Sequence, residues 1–309
     1  MPDGRVAEAD VANRNKRRAP AVRCASHSAG APDLTIAAIA VLLLPLAGPL
    51  QSLPTPLDTL VDVGGYHLHM VVYRGTRPLT IVMESGGGAG LAAWSGVEAK
   101  VAERTGATAE RTGATVVAYD RAGFGESGMG PADLTPRQQV RQLHEALERL
   151  EPAPDRIVVG HSYGGLLALL HAHLYPEHVR GLVLVDPMNA RFVQATGDFV
   201  QSTVPHIEHP TIARDTAVAR MVSTFAELAR DPAASDAGLA LPIVVVTAGQ
   251  SWWKKADIDR AWRDSHQAIV HAAPDRRLVV ADGSDHDIPE QRPEAIVQAV
   301  LSLTVQRSR

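Results

Sequence analysis

The chain alternates between short runs of branched apolar residues and longer segments whose apolar positions recur three or four apart. The runs at 80–83 (Thr-Ile-Val-Met), 115–119 (Thr-Val-Val-Ala-Tyr), 157–159 (Ile-Val-Val), 181–185 (Gly-Leu-Val-Leu-Val), 243–247 (Ile-Val-Val-Val-Thr) and 277–281 (Arg-Leu-Val-Val-Ala) are near-continuous. That pattern predicts strands covered on both faces, as in a parallel sheet. Two earlier segments, 59–63 and 66–73, flank Gly64-Gly65 and predict an antiparallel hairpin. Helices are predicted between the later runs. Thr135 caps one that opens with Pro136 and runs to Leu150; others cover 166–172 and 261–272, and Pro293 opens the last. Residues 188–241 carry helical patches, 217–230 among them, but no strong strand. Strand and helix in alternation predict one α/β domain with a helical insertion.

The first 57 residues break this rhythm. Residues 1–33 form a polar extension with a basic cluster at Arg14, Lys16, Arg17, Arg18 and Arg23. Residues 34–57 contain no charged side chain, and 34–44 are largely apolar before Pro45, Gly48 and Pro49. That length suits a secretory h-region, or a short signal anchor through 34–50, with a linker to 57. The upstream basic residues then keep the N-terminus cytoplasmic and send the domain at 58–309 across the membrane. The opposing expectation is a mis-assigned start, which would leave the protein cytoplasmic.

Composition narrows the function classes. A hydrophobic content of 45% over 309 residues supports a sizeable core, and a net charge of −4 gives no basic face for nucleic acid. The single cysteine, Cys24, excludes an internal disulfide and any multi-cysteine metal site. His67 and His69 share one strand face but have no third ligand nearby, so both are expected to be solvated. Asp120 and Arg121 are expected to form a structural ion pair. Residues 103–109 recur nearly unchanged at 110–116, which predicts a local duplication in a surface connection, one copy being a tolerated insertion.

The chemistry centres on Gly160-His161-Ser162-Tyr163-Gly164-Gly165, set between the 157–159 strand and the 166–172 helix. A strand that turns at once into a helix strains its middle residue, and glycines two positions either side leave room for that turn. In this context the chain resembles the α/β-hydrolase superfamily over roughly 59–303. Asp120-Arg121-Ala122-Gly123-Phe124-Gly125-Glu126-Ser127 resembles the superfamily's loop beside the nucleophile. The resemblance implies a mostly parallel eight-stranded sheet flanked by helices, with a small helical lid at about 188–241. Phe192, Phe199, Met221 and Phe225 would either line an acyl pocket there or pack the lid. It also implies Ser162 as nucleophile and His286 as base, in the loop after the last strand and 124 positions further on (286 − 162).

In the family the acid usually follows the strand at 243–247, about three residues past a glycine. Here that position is Trp252, which cannot serve. Asp186, at the tip of the preceding strand, is the favoured acid and Asp257 the alternative. Asp285 and Asp287 adjoin the histidine too closely to face its ring. The oxyanion donors implied are the backbone N–H groups of Gly87, in the glycine-rich loop 85–90, and Tyr163. No metal or organic cofactor is implied. The leading expectation is a serine hydrolase acting on a small-molecule carboxylic ester or related acyl substrate. The alternatives are acyl transfer to peroxide or an amine by the same groups, and a non-catalytic ligand-binding member of the fold.

Overall fold

The computed structural model describes residues 55–106, 113–150, 153–197 and 216–304. Apart from 55–57, the segment expected as signal or anchor lies outside them. No helix among the described residues is long and apolar enough to cross a membrane.

Eight strands form one sheet: β1 (Leu57–Asp62), β2 (His67–Tyr73), β3 (Leu79–Glu84), β4 (Thr115–Tyr119), β5 (Asp155–His161), β6 (Val179–Val185), β7 (Ile243–Ala248) and β8 (Arg277–Ala281). Their order is β1-β2-β4-β3-β5-β6-β7-β8. Only β2 runs against its neighbours, pairing antiparallel with both β1 and β4. The expected hairpin at Gly64-Gly65 explains this: Val63 N–H donates to Tyr66 C=O at 2.9 Å and closes a two-residue turn. The other pairs are parallel.

The helices are α1 (Val97–Gly106), α2 (Pro136–Arg149), α3 (Tyr163–Leu174), α4 (Ala190–Thr196), α5 (Thr216–Arg230), α6 (Ala256–His271), α7 (Ile288–Gln291) and α8 (Pro293–Thr304), with a 3-10 turn at Leu91–Trp94. The sequence start signal of α2 is realised as a reciprocal cap between Thr135 and Gln138. Alternate strand residues feed two cores. Ile81, Val116, Val159 and Val244 pack with Trp94, Val97, Ile296 and Val300 on the α1/α8 face. Val82 and Val117 pack with Leu143 and Leu147 of α2 on the other. Val158, Leu182 and Val245 join Leu169 of α3 and Ile269 of α6 on that same side. Burial on both faces is why the strands read as unbroken apolar runs.

From β3 the chain adds β4 on one side, then crosses to add β5 on the other. The loops leaving β3 and β5 therefore diverge, and a crevice opens at their carboxyl ends. Between β6 and β7 the described residues hold α4, α5 and a 3-10 turn, and no strand. The duplicated heptad is not wholly a connection. Its first copy runs into the last turn of α1, and its second ends in Thr115 and Val116 of β4. Residues 107–112 lie outside the described set.

Candidate active site

Only Ser162 separates the end of β5 from the start of α3, and it holds φ 50° and ψ −118°. The flanking glycines are required by close approach. A Cβ on Gly160 would lie 2.4 Å from the Gly164 carbonyl oxygen, and one on Gly164 would lie 2.4 Å from that of Glu84. The turn is pinned by its own backbone: Ser162 N–H donates to Val185 C=O at 3.0 Å, and Ser162 C=O accepts from Gly165 N–H at 2.8 Å and Met188 N–H at 3.0 Å.

His286 stands between β8 and α7. Its Nε2 lies 2.9 Å from Ser162 Oγ, and its Nδ1 lies 2.7 Å from Asp186 Oδ2. Asp186 follows β6 with φ 38° and is fully buried. Its Oδ1 accepts from Ala248 N–H at 3.0 Å and Thr247 Oγ at 3.3 Å. Burial would push this carboxyl up, but the His286 hydrogen bond, the histidine charges of His286 and His266, and the Ala248 N–H together hold it well below the usual carboxylate range. An ionised Asp186 accepts from Nδ1–H, which leaves the Nε2 lone pair facing the serine hydroxyl. Asp257, the alternative acid, is exposed in the first turn of α6. Trp252, where the family pattern would place an acid, lays its ring on the His286 ring, with centroids 4.2 Å apart and planes 19° apart.

Two surrounding groups carried no signal in the sequence beyond their residue type. His161, next to the serine, is buried. Its Nε2 lies 2.9 Å from the His286 carbonyl oxygen, so Nε2–H donates there. Its Nδ1 fills the space where a Cβ on Gly86 would sit, at 2.9 Å. Burial, then the nearby His286, pushes this imidazole down to about 3, so it is neutral. His266, also buried, backs the acid: Nδ1 lies 2.9 Å from Thr247 Oγ and Nε2 3.0 Å from the Pro187 carbonyl oxygen.

Two sequence expectations are corrected. His69 is not solvated; it is buried, with Nδ1 2.7 Å from Asp120 Oδ2 and Nε2 2.8 Å from Asp58 Oδ1, while His67 is exposed. Asp120 and Arg121 do not pair with each other. Asp120 takes His69 and the Leu91 N–H at 2.6 Å, and Arg121 pairs with Glu84 at 3.0 Å. Residues adjacent in extended chain face opposite ways, so each finds its partner elsewhere. Among the described residues no group of three or more His, Cys, Asp or Glu could hold a metal ion.

A cavity of about 700 Å³ opens at Ser162 and His286. Small residues line much of it, including Gly86, Gly87, Ala92 and Ala93, with Lys100 and Glu290 also on its wall. Phe192, Met221 and Phe225 do not line it. They pack with Tyr163, Trp253 and Trp262 in a separate cluster. Phe199 lies outside the described residues.

The sequence pattern of the Alpha/beta hydrolase family matches residues 81–299. The uncharacterized protein YqjL of Bacillus subtilis is 26% identical over 243 residues, covering 78% of this chain and 89% of its own. A probable hydrolytic enzyme from Pseudomonas aeruginosa shares the fold with a TM-score of 0.60 at 20% identity, over 82% of this chain and 94% of its own. A thermophilic esterase from Thermogutta terrifontis aligns with a TM-score of 0.57 at 16% identity, over 81% and 97%.

Proposed function

This chain belongs to the alpha/beta hydrolase family, and from that premise we propose that it hydrolyses carboxylic esters through an acyl-enzyme on Ser162. The observation that carries the proposal is the unbroken chain of short contacts, Ser162 Oγ to His286 Nε2 at 2.9 Å and His286 Nδ1 to Asp186 Oδ2 at 2.7 Å. A serine hydroxyl is a weak nucleophile at neutral pH and needs a base within this reach, itself held by an acid.

In the proposed reaction His286 takes the Ser162 proton as Oγ attacks the ester carbonyl. Asp186 stabilises the imidazolium without taking its proton. Charge moves to the carbonyl oxygen, which the Gly87 and Tyr163 N–H groups receive. His286 then gives its proton to the departing alcohol. Water, activated by the same imidazole, attacks the acyl carbon and releases the acid and Ser162. The low-pKa carboxylate and the neutral His161 beside it suit these roles. Asp186 stays ionised across the working range, and His161 adds no second positive charge next to the imidazolium.

The test is hydrolysis of p-nitrophenyl esters of graded chain length, together with labelling by a fluorophosphonate. Turnover and label at Ser162, both lost in Ser162→Ala, are expected. A wild-type protein that neither turns over any ester nor takes the label refutes the proposal and favours a ligand-binding role for the cavity.

A further inference from the structure

Arg121 is buried, 3% exposed, just beyond the end of β4. Strands β3 and β4 are parallel neighbours with Met83 opposite Ala118, so Glu84 and Tyr119 come out side by side. Glu84 accepts from the Tyr119 hydroxyl and from Arg121 Nη1, the latter at 3.0 Å. Glu84 uses only part of the guanidinium fork. Nη1 also donates to the Ser85 carbonyl at 2.6 Å, and Nη2 donates to the carbonyls of Gly86 at 2.5 Å and Ala89 at 3.2 Å. The guanidinium carbon lies 5.2 Å from the Phe124 ring centroid and 5.5 Å from that of Tyr163.

We propose that Arg121 is the positioning residue of the oxyanion site, fixing the direction of the Gly87 N–H by holding the other end of the same peptide group. The Gly86 C=O and the Gly87 N–H belong to one planar trans unit, so they point opposite ways. Holding the carbonyl toward Arg121 turns the N–H away from it. The same cation polarises that peptide and strengthens the N–H as a donor. With the Ser85 and Ala89 carbonyls also drawn inward, the loop cannot swing its peptides as a run containing Gly86, Gly87, Gly88 and Gly90 otherwise could. The contact with the Tyr163 ring brings the residue carrying the second donor against the same cation. A lysine would keep the charge but could not hold three carbonyls and a carboxylate at once. The inference rests on the acyl-enzyme proposal, with Gly87 and Tyr163 as donors.

The experiment measures kcat, KM and the inhibition constant of an alkyl trifluoromethyl ketone, whose serine adduct places an oxyanion in the site, for wild type, Arg121→Lys and Arg121→Met. Arg121→Met leaves Glu84 buried without its cation and can fail to fold. Glu84→Gln/Arg121→Met removes both charges, and Arg121→Lys retains the ion pair. Thermal unfolding and fluorophosphonate labelling at Ser162 accompany each variant. Loss of one oxyanion donor costs about 10²–10³ in kcat, so about a 100-fold loss is expected for the methionine variants and a smaller one for lysine. KM is expected to stay within twofold and ketone affinity to fall in step with kcat/KM. Folded, labelled variants with wild-type kcat, or a loss confined to KM with unchanged ketone affinity, overturn the inference and leave the acyl-enzyme proposal standing. Absence of labelling and turnover in wild type defeats both, and is recognised before any variant is made.

Discussion

Strand β5 carries buried polar groups at both ends, and the two ends are built on different rules. At its carboxyl end sit His161 and Ser162. At its amino end Arg156 is fully buried, its Nη1 2.5 Å from His144 Nδ1, its Nη2 on Glu148, with His144 stacked on Tyr175 at 3.7 Å between ring centroids. His171, brought there by the far end of α3, is 1% exposed with no hydrogen-bond partner on either ring nitrogen. At the carboxyl end, in contrast, His161, His266 and His286 each have a named partner. Ser162 and Asp186, both there, are the non-glycine residues at positive φ among those described. Buried histidines alone therefore do not mark a site. Backbone strain combined with paired side chains does, because neither persists unless the surroundings hold it.

The sharpest way to break this contrast is at the acid. Asp186→Asn is expected to lower kcat by about 10⁴-fold, the loss typical when a triad acid is neutralised. Asp257→Asn is expected to stay within twofold in the same ester assay. The reverse outcome would move the acid and, with it, the functional end.

The next test applies one substitution to both ends. His161→Phe removes the donor to the His286 carbonyl and should lower kcat about 10-fold or more through misplacement of the base. His171→Phe should leave kcat within twofold. It should raise stability by about 1 kcal/mol, since a buried imidazole with no partner costs about 1–3 kcal/mol that an apolar ring of similar shape does not. Denaturant midpoints and steady-state rates on both variants check this.

Acid unfolding tests the ends together. His161 and His171 are pushed down to about 3 and His144 to about 4, in each case first by burial. Below an ordinary histidine pKa of about 6.5 the unfolded chain takes protons that the native chain refuses. Stability from these groups is therefore complete above pH 6.5 and lost as pH falls toward 4 for His144 and toward 3 for His161 and His171, by up to about 1.4 kcal/mol per pH unit for each fully buried histidine. His171→Phe should make that fall shallower. The smallest effect is expected from deleting residues 109–115. The earlier copy then supplies Gly106, Ala107 and Thr108 where Gly113, Ala114 and Thr115 stood. Stability should change by about 1 kcal/mol, because Ala107 and Thr108 restore the residues taken at the start of β4 and the main loss from α1 is Gly106, a poor helix residue at its end. Collapse of the fold would show that the inserted copy has a packing role.

The sequence made the strand–turn–helix at Ser162 legible because its requirements are local: a β-branched run, two glycines set by backbone contact, and a helix former. The parallel strands were legible for the same reason, since burial on both faces writes itself as an unbroken apolar run. Partners set by strand order were not. Glu84 lies 37 residues before Arg121, and only the adjacency of β3 and β4 brings them together. His69 reads as solvated from its place in the hairpin, because although Asp58 lies on the paired strand, nothing local announces that the β2–β4 pairing brings Asp120 onto its other ring nitrogen. Trp252 could be read as a residue unable to act as acid, but its stacking on the imidazole depends on where β7 and β8 end.

The dihedrals of Ser162 carry a consequence for how such a protein can change over generations. A φ of 50° with ψ of −118° costs a serine about 1–3 kcal/mol, and a glycine there escapes much of that while giving back about 0.4–1 kcal/mol in unfolded-chain entropy. Ser162→Gly should thus yield a chain that melts later and does nothing. Pressure for heat resistance alone would tend to erase the hydroxyl, so on the acyl-enzyme proposal this turn trades durability for turnover.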